Sequence, residues 1–342
     1  MEKKTIKYTF LFFCLGIVLF LLFVADLFAG SVLLPVGEVW AALTGGADAS
    51  ETTRAIVLNF RIPKAIVALL AGISLSVSGL QMQTIFKNPL ADPYVLGISS
   101  GSSLGVALFV LGTAFWGGFS GLWMQNLGLA LAGWIGAFVM LAVIMAASIR
   151  LRDTMSLLVL GIMVGGVVSA VVGIMQYFSE AAALKTYVLW TMGSFSAVPA
   201  GQLGMMIPAI LLGLLLAFFT MKWLDALMLG DEYARTMGLN VRRARTVLII
   251  SSGFLAGTVT AFCGPIGFIG IAVPHLSRML FQTANHRVLM PATVLLGGVM
   301  MLFSDLASQL PGADSVLPIN TITALLGIPV IVFVIYRNQR GY

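Results

Sequence analysis

Apolar residues along the chain fall into runs of about 20, separated by short stretches that carry charges, prolines or glycines. A helix needs about 20 residues to cross the roughly 30 Å of a bilayer's hydrocarbon layer, so runs of this length predict membrane-spanning helices. Ten helices are predicted, with approximate bounds 8–29, 62–83, 93–112, 122–148, 155–178, 199–221, 246–266, 268–282, 289–310 and 317–336. The eighth is short and interrupted by proline, and it nearly joins the seventh.

The composition agrees with this pattern. The chain is 59% hydrophobic, only 9% of its residues are charged, and its mean hydropathy is +1.03. A soluble protein of 342 residues has no core large enough to bury so much apolar surface. The predicted fold class is therefore an all-α, polytopic membrane protein in which residues 1–342 form a single transmembrane domain.

Positive charges are distributed unevenly between the two ends of the predicted helices. Cytoplasmic loops of membrane proteins carry an excess of Lys and Arg, and both termini of this chain are basic. Ten helices then place both termini in the cytoplasm, with 15 cations inside and 4 outside. The inside cations are Lys3, Lys4, Lys7, Lys87, Arg150, Arg152, Lys222, Arg235, Arg242, Arg243, Arg245, Arg278, Arg287, Arg337 and Arg340. The outside cations are Arg54, Arg61, Lys64 and Lys185. The net charge of +6 thus reflects topology and does not indicate nucleic-acid binding.

The segment KNPLADP, residues 87–93, follows the second predicted helix at its inner end. Proline removes a backbone donor, and Asn and Asp readily form local bonds in turns, so a stiff, bent connection is expected. It is either a simple turn between antiparallel helices, which the spacing alone favours, or a constriction at the cytoplasmic mouth of a pathway.

The segment RIPK, residues 61–64, supplies two of the four outside cations at the outer start of the second helix. One interpretation is that both side chains extend to the membrane interface. The other is that they form a docking point for an acidic patch on a soluble outside partner, since complementary charge guides approach and register.

Three acidic residues, Asp26, Glu180 and Asp305, lie nearest to the predicted membrane region. Intramembrane carboxylates often mark ion or proton pathways, which would suit an ion-coupled secondary transporter that uses Asp26 or Asp305. All three fall at predicted outer helix ends, where we expect water to reach them. That position weakens this alternative.

The segment LGDEYARTMGLNVRRAR, residues 229–245, is rich in charge and lies within a predicted cytoplasmic loop, residues 222–245. Asp231 is predicted to cap the start of a short helix, Gly238 to end that helix, and Asn240 to cap the next one.

The short helix in this loop has an apolar face, because Leu229, Tyr233 and Met237 recur at every fourth position. An apolar face on an otherwise charged cytoplasmic helix is suited to a groove in a partner protein. The alternative is that this face packs against the chain's own bundle.

The segment GPIGFIGIAVPH, residues 264–275, predicts a broken helix, which is tolerated at membrane depth where protein or a cavity lies beside it. Neither His275 nor His286 has a Cys, His or carboxylate partner at ligand spacing, so packed histidines are expected and no metal site is predicted. The sequence contains no GxxxxGK[ST] phosphate loop, so any ATP that drives transport is bound by another subunit.

Taken together, the motifs resemble those of the FecCD family, the permease subunits of type II ABC importers for iron-siderophores, haem and cobalamin. The resemblance begins at Arg61 and rests, in order, on RIPKAIVALLAGISLSVSGLQMQTIFKNPLADPYVLGISSG, LGDEYARTMGLN, CGPIGFIGIAVPHLSRML, NHRVLMP and LPINTITALLGIPV.

This resemblance implies a homodimer of ten-helix subunits in the bacterial inner membrane. It also implies two cytoplasmic ABC ATPase subunits that bind ATP and Mg, and a periplasmic binding protein that delivers the substrate. The chain itself would bind no cofactor and catalyse no reaction. It would move a metal chelate from periplasm to cytoplasm by alternating access.

The resemblance also assigns roles to individual residues. The cytoplasmic gate falls on Asn88, Leu90, Thr154 and Met155, which favours the gate interpretation of KNPLADP. The outer docking cations fall on Arg61 and Lys64. The ATPase-coupling helix falls on Leu229, Gly230, Asp231, Glu232, Tyr233, Ala234, Arg235, Met237, Gly238 and Leu239.

Two positions depart from the family pattern. Gln309 stands in the docking set where relatives often carry an arginine, so one docking charge is missing. Asn320 stands where a glycine is usual, which alters the expected outer lining. The sequence does not distinguish among siderophore, haem and cobalamin as the cargo.

Overall fold

A computed structural model describes residues 2–30, 32–46, 48–112, 122–150, 154–309 and 316–339. These residues are helical apart from turns, loops and an isolated bridge between Gln309 and Val316. The helices are α1 (Glu2–Phe28), α2 (Val36–Thr44), α3 (Glu51–Ile56), α4 (Ile62–Phe86), α5 (Ile98–Val110), α6 (Leu122–Arg150), α7 (Thr154–Tyr177), α8 (Ala181–Thr191), α9 (Ala200–Phe219), α10 (Met221–Met228), α11 (Asp231–Thr236), α12 (Val241–Cys263), α13 (Ile269–Phe281), α14 (His286–Ser308) and α15 (Ile319–Gln339). A π-helical turn, Val57–Arg61, joins α3 to α4, and a 3-10 turn, Pro93–Leu96, precedes α5.

Among the described residues, seven helical stretches are long and apolar enough to cross a membrane. They lie in α1, in α3 to α4, and in α6, α7, α9, α12 and α14. Shorter apolar helices lie at Ile98–Val110, Ile269–Phe281 and Ile319–Phe333. The ten predicted helices all correspond to one of these stretches, and the all-α membrane fold is confirmed.

The polar region before the second membrane helix contains α2 and α3. Ser50 caps α3 by accepting a hydrogen bond from the backbone N–H of Thr53, and both hydroxyls donate to Glu38 on α2. The polar residues Ser50 and Thr53 thus form a capped helix start. Because helix continues from Glu51 to Phe86, Arg61 lies inside a helical stretch and not at its beginning.

The centre of the bundle is formed by α4 and α12, the most buried of the long apolar stretches. Close approach of the backbones depends on glycine. A Cβ atom on Gly79 would lie 1.9 Å from the carbonyl oxygen of Gly270, and one on Gly72 would lie 2.2 Å from that of Gly297. Small residues therefore pack α4 against α13 and α14, as is usual for helices that associate in lipid.

A polar seam crosses the same centre. Ser78 on α4 lies within hydrogen-bond distance of the hydroxyl and carbonyl oxygens of Ser252 on α12, and Gln81 donates to the hydroxyl of Ser251. Ser251 in turn donates to the carbonyl oxygen of Gly213 on α9. These groups satisfy one another away from water, and they fix the relative position of the three helices.

Candidate coupling and gate site

The coupling helix, α11, begins and ends at glycines. Gly230 has φ +114° and Gly238 has φ +82°, both in the region that favours glycine. At its end, Leu239 N–H donates to the carbonyl of Ala234, and Gly238 N–H donates to that of Arg235. This pair of bonds is a Schellman motif, so Gly238 ends the helix as predicted.

Asp231 does not cap the coupling helix, so that prediction is wrong. Its carboxylate accepts hydrogen bonds of 3.0 and 2.7 Å from the guanidinium of Arg245 on α12, and it lies 4.0 Å from the ammonium of Lys87. An ionised carboxylate forms a stronger hydrogen bond with a nearby cation than with a neutral backbone N–H. Asp231 therefore links the coupling helix to the start of α12 and to the end of α4. Asn240 does cap α12, since its amide oxygen accepts from Arg243 N–H.

The apolar face of the coupling segment is exposed. Leu229, Tyr233 and Met237 have exposed fractions of 64%, 54% and 62%, whereas Ala234 on the other side of the helix is fully buried. The alternative that this face packs against the chain's own bundle is therefore wrong in this structure. An exposed apolar patch with charged neighbours is typical of a protein-binding surface.

A second anchor of the coupling region was missed by sequence reasoning. Asp225 on α10 accepts a 3.0 Å bond from the backbone N–H of His286 and lies 2.6 Å from its Nδ1 atom. The Nε2 atom of this buried histidine lies 3.2 Å from the hydroxyl of Thr84. The contact joins α10, α14 and α4, and sequence spacing gave no signal for it because the three residues are far apart in the chain.

The gate loop, residues 87–92, is tightly folded. Lys87 ends α4 with φ +47°, and the side-chain oxygen of Asn88 accepts a hydrogen bond from Leu90 N–H. The carbonyl of Pro89 lies 2.8 Å from Nε2 of His275, which is a packed histidine held against the loop. Leu90 itself is exposed. The bent connection is thus confirmed, and its role as a gate stays a prediction.

The gate loop leads into the 3-10 turn through Asp92, whose carboxylate accepts from Tyr94 N–H. Burial raises the pKa of Asp92 to about 6, and the bond from Tyr94 opposes this shift only in part. The hydroxyl of Tyr94 accepts hydrogen bonds from Thr260 and from the backbone N–H of Ile266. The end of the gate loop is therefore tied to the broken segment between α12 and α13.

The second pair of predicted gate residues lies at the start of α7. Met155 is exposed, and the side chain of Thr154, the first residue of α7, lies outside the described part of the chain. This assignment also stays a prediction.

At the opposite end of the bundle, Arg61 is only 5% exposed. Its guanidinium donates to three carbonyl oxygens that follow or end α1, those of Leu27, Phe28 and Val32, at 2.7–3.0 Å. These bonds hold the exit of α1 against α4. The predicted exposed docking cation is a buried structural group in this structure.

Lys64 belongs to a buried charge cluster, defined as Asp26, Lys64, Asp305 and Gln309. The ammonium lies 2.8 Å from Asp305 and 3.4 Å from Asp26, while the amide of Gln309 donates to both carboxylates. Asp26 is fully buried, so the expectation that water reaches it is wrong, whereas Asp305 is 4% exposed and lines an open cavity. The ends of α1, α4 and α14 shield these side chains from water. Their burial cannot be read from their positions in the sequence. Glu180 is exposed as expected.

Two adjoining cavities open beside this cluster. One, of about 720 Å³, is lined by Arg61, Lys64 and Gln309, and the other, of about 460 Å³, is lined by Asp305. Ser196, Ala197 and Val316 line both.

Asn320 closes the neighbouring wall. Its side-chain oxygen accepts from Gly267 N–H, and its own N–H donates to the carbonyl of Met192. The side chain of Asn320 thus joins α15 to the broken segment.

Known proteins share this architecture. A solved structure described as an inward-facing conformation of a metal-chelate type ABC transporter superposes with a TM-score of 0.83 at 30% identity, covering 96% of this chain and 99% of that one. The hemin transport system permease protein HmuU of Yersinia pestis is 36% identical over 290 residues, 83% of this chain and 84% of HmuU. The vitamin B12 import system permease protein BtuC of Salmonella paratyphi A is 33% identical over 308 residues, 90% of this chain and 91% of BtuC.

The profile of the FecCD transport family matches residues 18–337, nearly the whole chain. The helices, the coupling segment and the gate loop described above all lie within or overlap this range. The resemblance seen in the motifs is confirmed, and the chain belongs to the FecCD transport family.

Proposed function

We propose that this chain is the transmembrane subunit of an ABC importer that moves a metal chelate from periplasm to cytoplasm by alternating access. The observation that carries the proposal is the coupling helix, which exposes an apolar face while its Asp231 pairs with cations at the ends of two core helices. The names of the similar proteins, permeases for hemin and vitamin B12, support a chelate as the cargo.

The coupling geometry supports a mechanical role. A partner that moves the coupling helix also displaces Asp231, and through it Arg245 on α12 and Lys87 at the start of the gate loop. Asp225 and His286 hold the preceding helix to α14 and α4. A push at the exposed face would therefore reach the two central helices and the gate loop. There Asn88 and Leu90, together with Thr154 and Met155 at the start of α7, would open or close the pathway.

The complete importer in this proposal contains two copies of the chain, two cytoplasmic ATPase subunits and a periplasmic binding protein. ATP and Mg are bound by the ATPase. Both termini lie in the cytoplasm, and the binding protein sits at the end that holds the buried charge cluster. Since Arg61, Lys64 and Gln309 line the larger cavity from inside, their proposed docking role requires the partner to reach into that cavity.

An ion-coupled transporter that uses Asp26 or Asp305 is not favoured. Lys64 is bound to both carboxylates and supplies an internal cation, so a transported ion would have to displace it.

Uptake into proteoliposomes without any ion gradient tests the proposal. The chain is reconstituted with its ATPase and binding protein, and chelate accumulation is followed with ATP or with a non-hydrolysable analogue inside or outside. We expect accumulation only with hydrolysable ATP on the coupling-helix side. Accumulation driven by a proton or sodium gradient without ATP contradicts the proposal.

Crosslinking tests the gate. Cysteines replace Leu90 and Met155 in a background with Cys14→Ser and Cys263→Ala. Crosslinks between the two copies should form in one nucleotide state and be lost in another. If crosslinking is the same in every nucleotide state, these loops only connect helices.

A further inference from the structure

A polar groove lies between α5, α7 and α8, apart from the coupling helix and the gate loop. It encloses about 250 Å³. The polar side chains that line it are Ser99, Ser100, Ser103, Ser169, Gln176 and Tyr187. All are uncharged and able to donate and accept hydrogen bonds.

These hydroxyls differ from most hydroxyls on the apolar helices. Elsewhere a serine or threonine donates to the carbonyl four residues before it, as in Ser74, Thr84, Thr293 and Ser304. In the groove, Tyr187 is hydrogen-bonded to Ser103. Within the described residues, the side chains of Ser99, Ser100, Ser169 and Gln176 have no such partner. Their hydrogen-bonding capacity is available to something that enters the groove.

The groove lies at membrane depth. Ser100 faces Gly165, near the middle of the 24-residue α7, and Gln176 is one residue from the end of that helix. Lipid tails cannot satisfy polar groups, so unpartnered hydroxyls at this depth face water or a polar ligand. The groove is therefore a surface beside α5, α7 and α8 that is suited to water or a polar ligand.

The residues that line the groove and the two neighbouring cavities carry no unpaired charge. The groove lining contains no charged side chain. The charged residues of the two neighbouring cavities, Arg61, Lys64 and Asp305, are already bound to carbonyl oxygens or to one another. A chelate with carboxylates or another net negative charge would find no free cation among the residues that line the groove and the two cavities, and desolvating it there would be unfavourable.

We infer that the groove binds the periphery of a neutral chelate that carries amide, hydroxamate or hydroxyl groups. This inference rests on the proposed function, because it assumes that a chelate passes through the chain. The serine hydroxyls donate to carbonyl oxygens of the cargo, and the Gln176 amide pairs with a cargo amide. The groove holds one arm of the chelate, since its volume is small compared with a whole complex.

Protection of an engineered thiol tests the site. Ser169→Cys is made in the background with Cys14→Ser and Cys263→Ala, and its reaction with a charged methanethiosulfonate is timed in the assembled importer. The added compounds are cobalamin, a neutral ferric trihydroxamate, haem and an anionic ferric tricatecholate. We expect one of the neutral complexes to slow labelling roughly fivefold or more, as the occupancy of a hydrogen-bonded site implies, and the anionic ones to leave it unchanged.

Glu180→Cys is the matched control, because it places an exposed thiol beyond the end of α7, outside the groove. Its labelling should be fast and unaffected by any of the four compounds. An unreactive thiol at position 169, or equal protection by the anionic compounds, overturns the inference.

Transport by variants separates this inference from the proposed function. Ser100→Ala, Ser169→Ala and Gln176→Leu are combined, and Thr293→Val is the control, since its hydroxyl is already bound to the Leu289 carbonyl. The triple variant should lower uptake of the neutral chelate roughly fivefold while it still co-purifies with the ATPase. If the wild type shows no ATP-driven uptake, the proposed function fails. If it imports an anionic chelate and the triple variant does so equally well, only the groove assignment fails.

Discussion

The two ends of the bundle use charge in opposite ways. At the coupling end, Asp231, Arg245 and Lys87 form ion pairs that remain partly exposed, with side chains 20–50% accessible. At the other end, Asp26, Lys64 and Asp305 form ion pairs with side chains no more than 12% accessible. Residues of the same types therefore form partly exposed ion pairs at the coupling end and buried ion pairs at the other end.

The two kinds of ion pair differ in the free energy that it costs to break them. Exposed pairs in high dielectric contribute little to stability and can be remade as elements move. Buried pairs cost a great deal to break, because each partner would be left without compensation in a low-dielectric site. The coupling end is thus suited to transmit motion, and the buried charge cluster is suited to hold α1, α4 and α14 together while the other end moves.

The largest effect is expected from breaking the buried cluster. Lys64→Met leaves two buried carboxylates without their cation, which should destabilise the fold by about 3–5 kcal/mol. Thermal unfolding of the detergent-solubilised protein measures this loss. The triple variant Lys64→Met, Asp26→Asn, Asp305→Asn removes all three charges and should recover most of the stability. If the single variant is as stable as the wild type, the cluster does not hold the helices together.

The next effect concerns the apolar face of the coupling helix. Tyr233→Asp with Met237→Asp would place unpaired charge in the partner's groove, at a cost of several kcal/mol by the desolvation argument. We expect normal membrane insertion, loss of ATPase co-purification and loss of uptake. Ala284→Asp, an exposed position in the loop before α14, is the control. A double variant that still binds its ATPase and transports normally rules out this coupling face.

A smaller effect is expected at the gate loop, and it depends on pH. The pKa of Asp92 is about 6 in the folded chain against an ordinary value of 3.8, so its contribution to stability is fully present below pH 4 and is lost as pH rises through 6. Asp92→Asn keeps the acceptor for Tyr94 N–H and cannot ionise. Relative to wild type it should gain roughly 2–3 kcal/mol of stability between pH 4 and pH 8. Thermal unfolding at both pH values measures the gain, and a pH-independent difference contradicts it.

The smallest effect on stability is expected at the partly exposed ion pair of Asp231 and Arg245. Arg245→Gln removes a partly exposed ion pair and should destabilise the fold by about 0–1 kcal/mol. Uptake should nevertheless fall relative to ATP hydrolysis, because the coupling helix loses its link to α12. The ratio of chelate transported to ATP hydrolysed measures this coupling. An unchanged ratio means that Asp231 transmits no motion through Arg245.

The contrast between the ends also changes how docking is tested. Charge reversal at Arg61 or Lys64 breaks buried contacts, so lost binding of the outside partner could follow from misfolding alone. Gln309→Arg is more informative, because it adds a cation at the position where the family resemblance implies one. Faster association of the binding protein at low salt would support docking at this position, and unchanged association would count against it.

Much of the architecture was determined by the sequence itself. Runs of apolar residues predicted where the seven candidate spans and three shorter apolar helices of the described residues lie, since a helix satisfies its own backbone hydrogen bonds in lipid. Local chemistry also predicted Gly238 as a helix end, Asn240 as a cap and the bend of the gate loop, because each depends on neighbours within a few residues. The order and spacing of the motifs identified the family.

Tertiary structure alone decided which charges are buried. Asp26, Lys64 and Asp305 are separated by up to 279 residues along the chain, and their mutual pairing exists only because three helix ends meet. The same holds for Asp231, whose position before a helix predicts a cap until Arg245 is placed within reach. Asp225 and His286 likewise meet only in the folded bundle. A carboxylate is governed by the strongest partner within a few ångströms, and that distance is set by packing, on which local sequence carries little information.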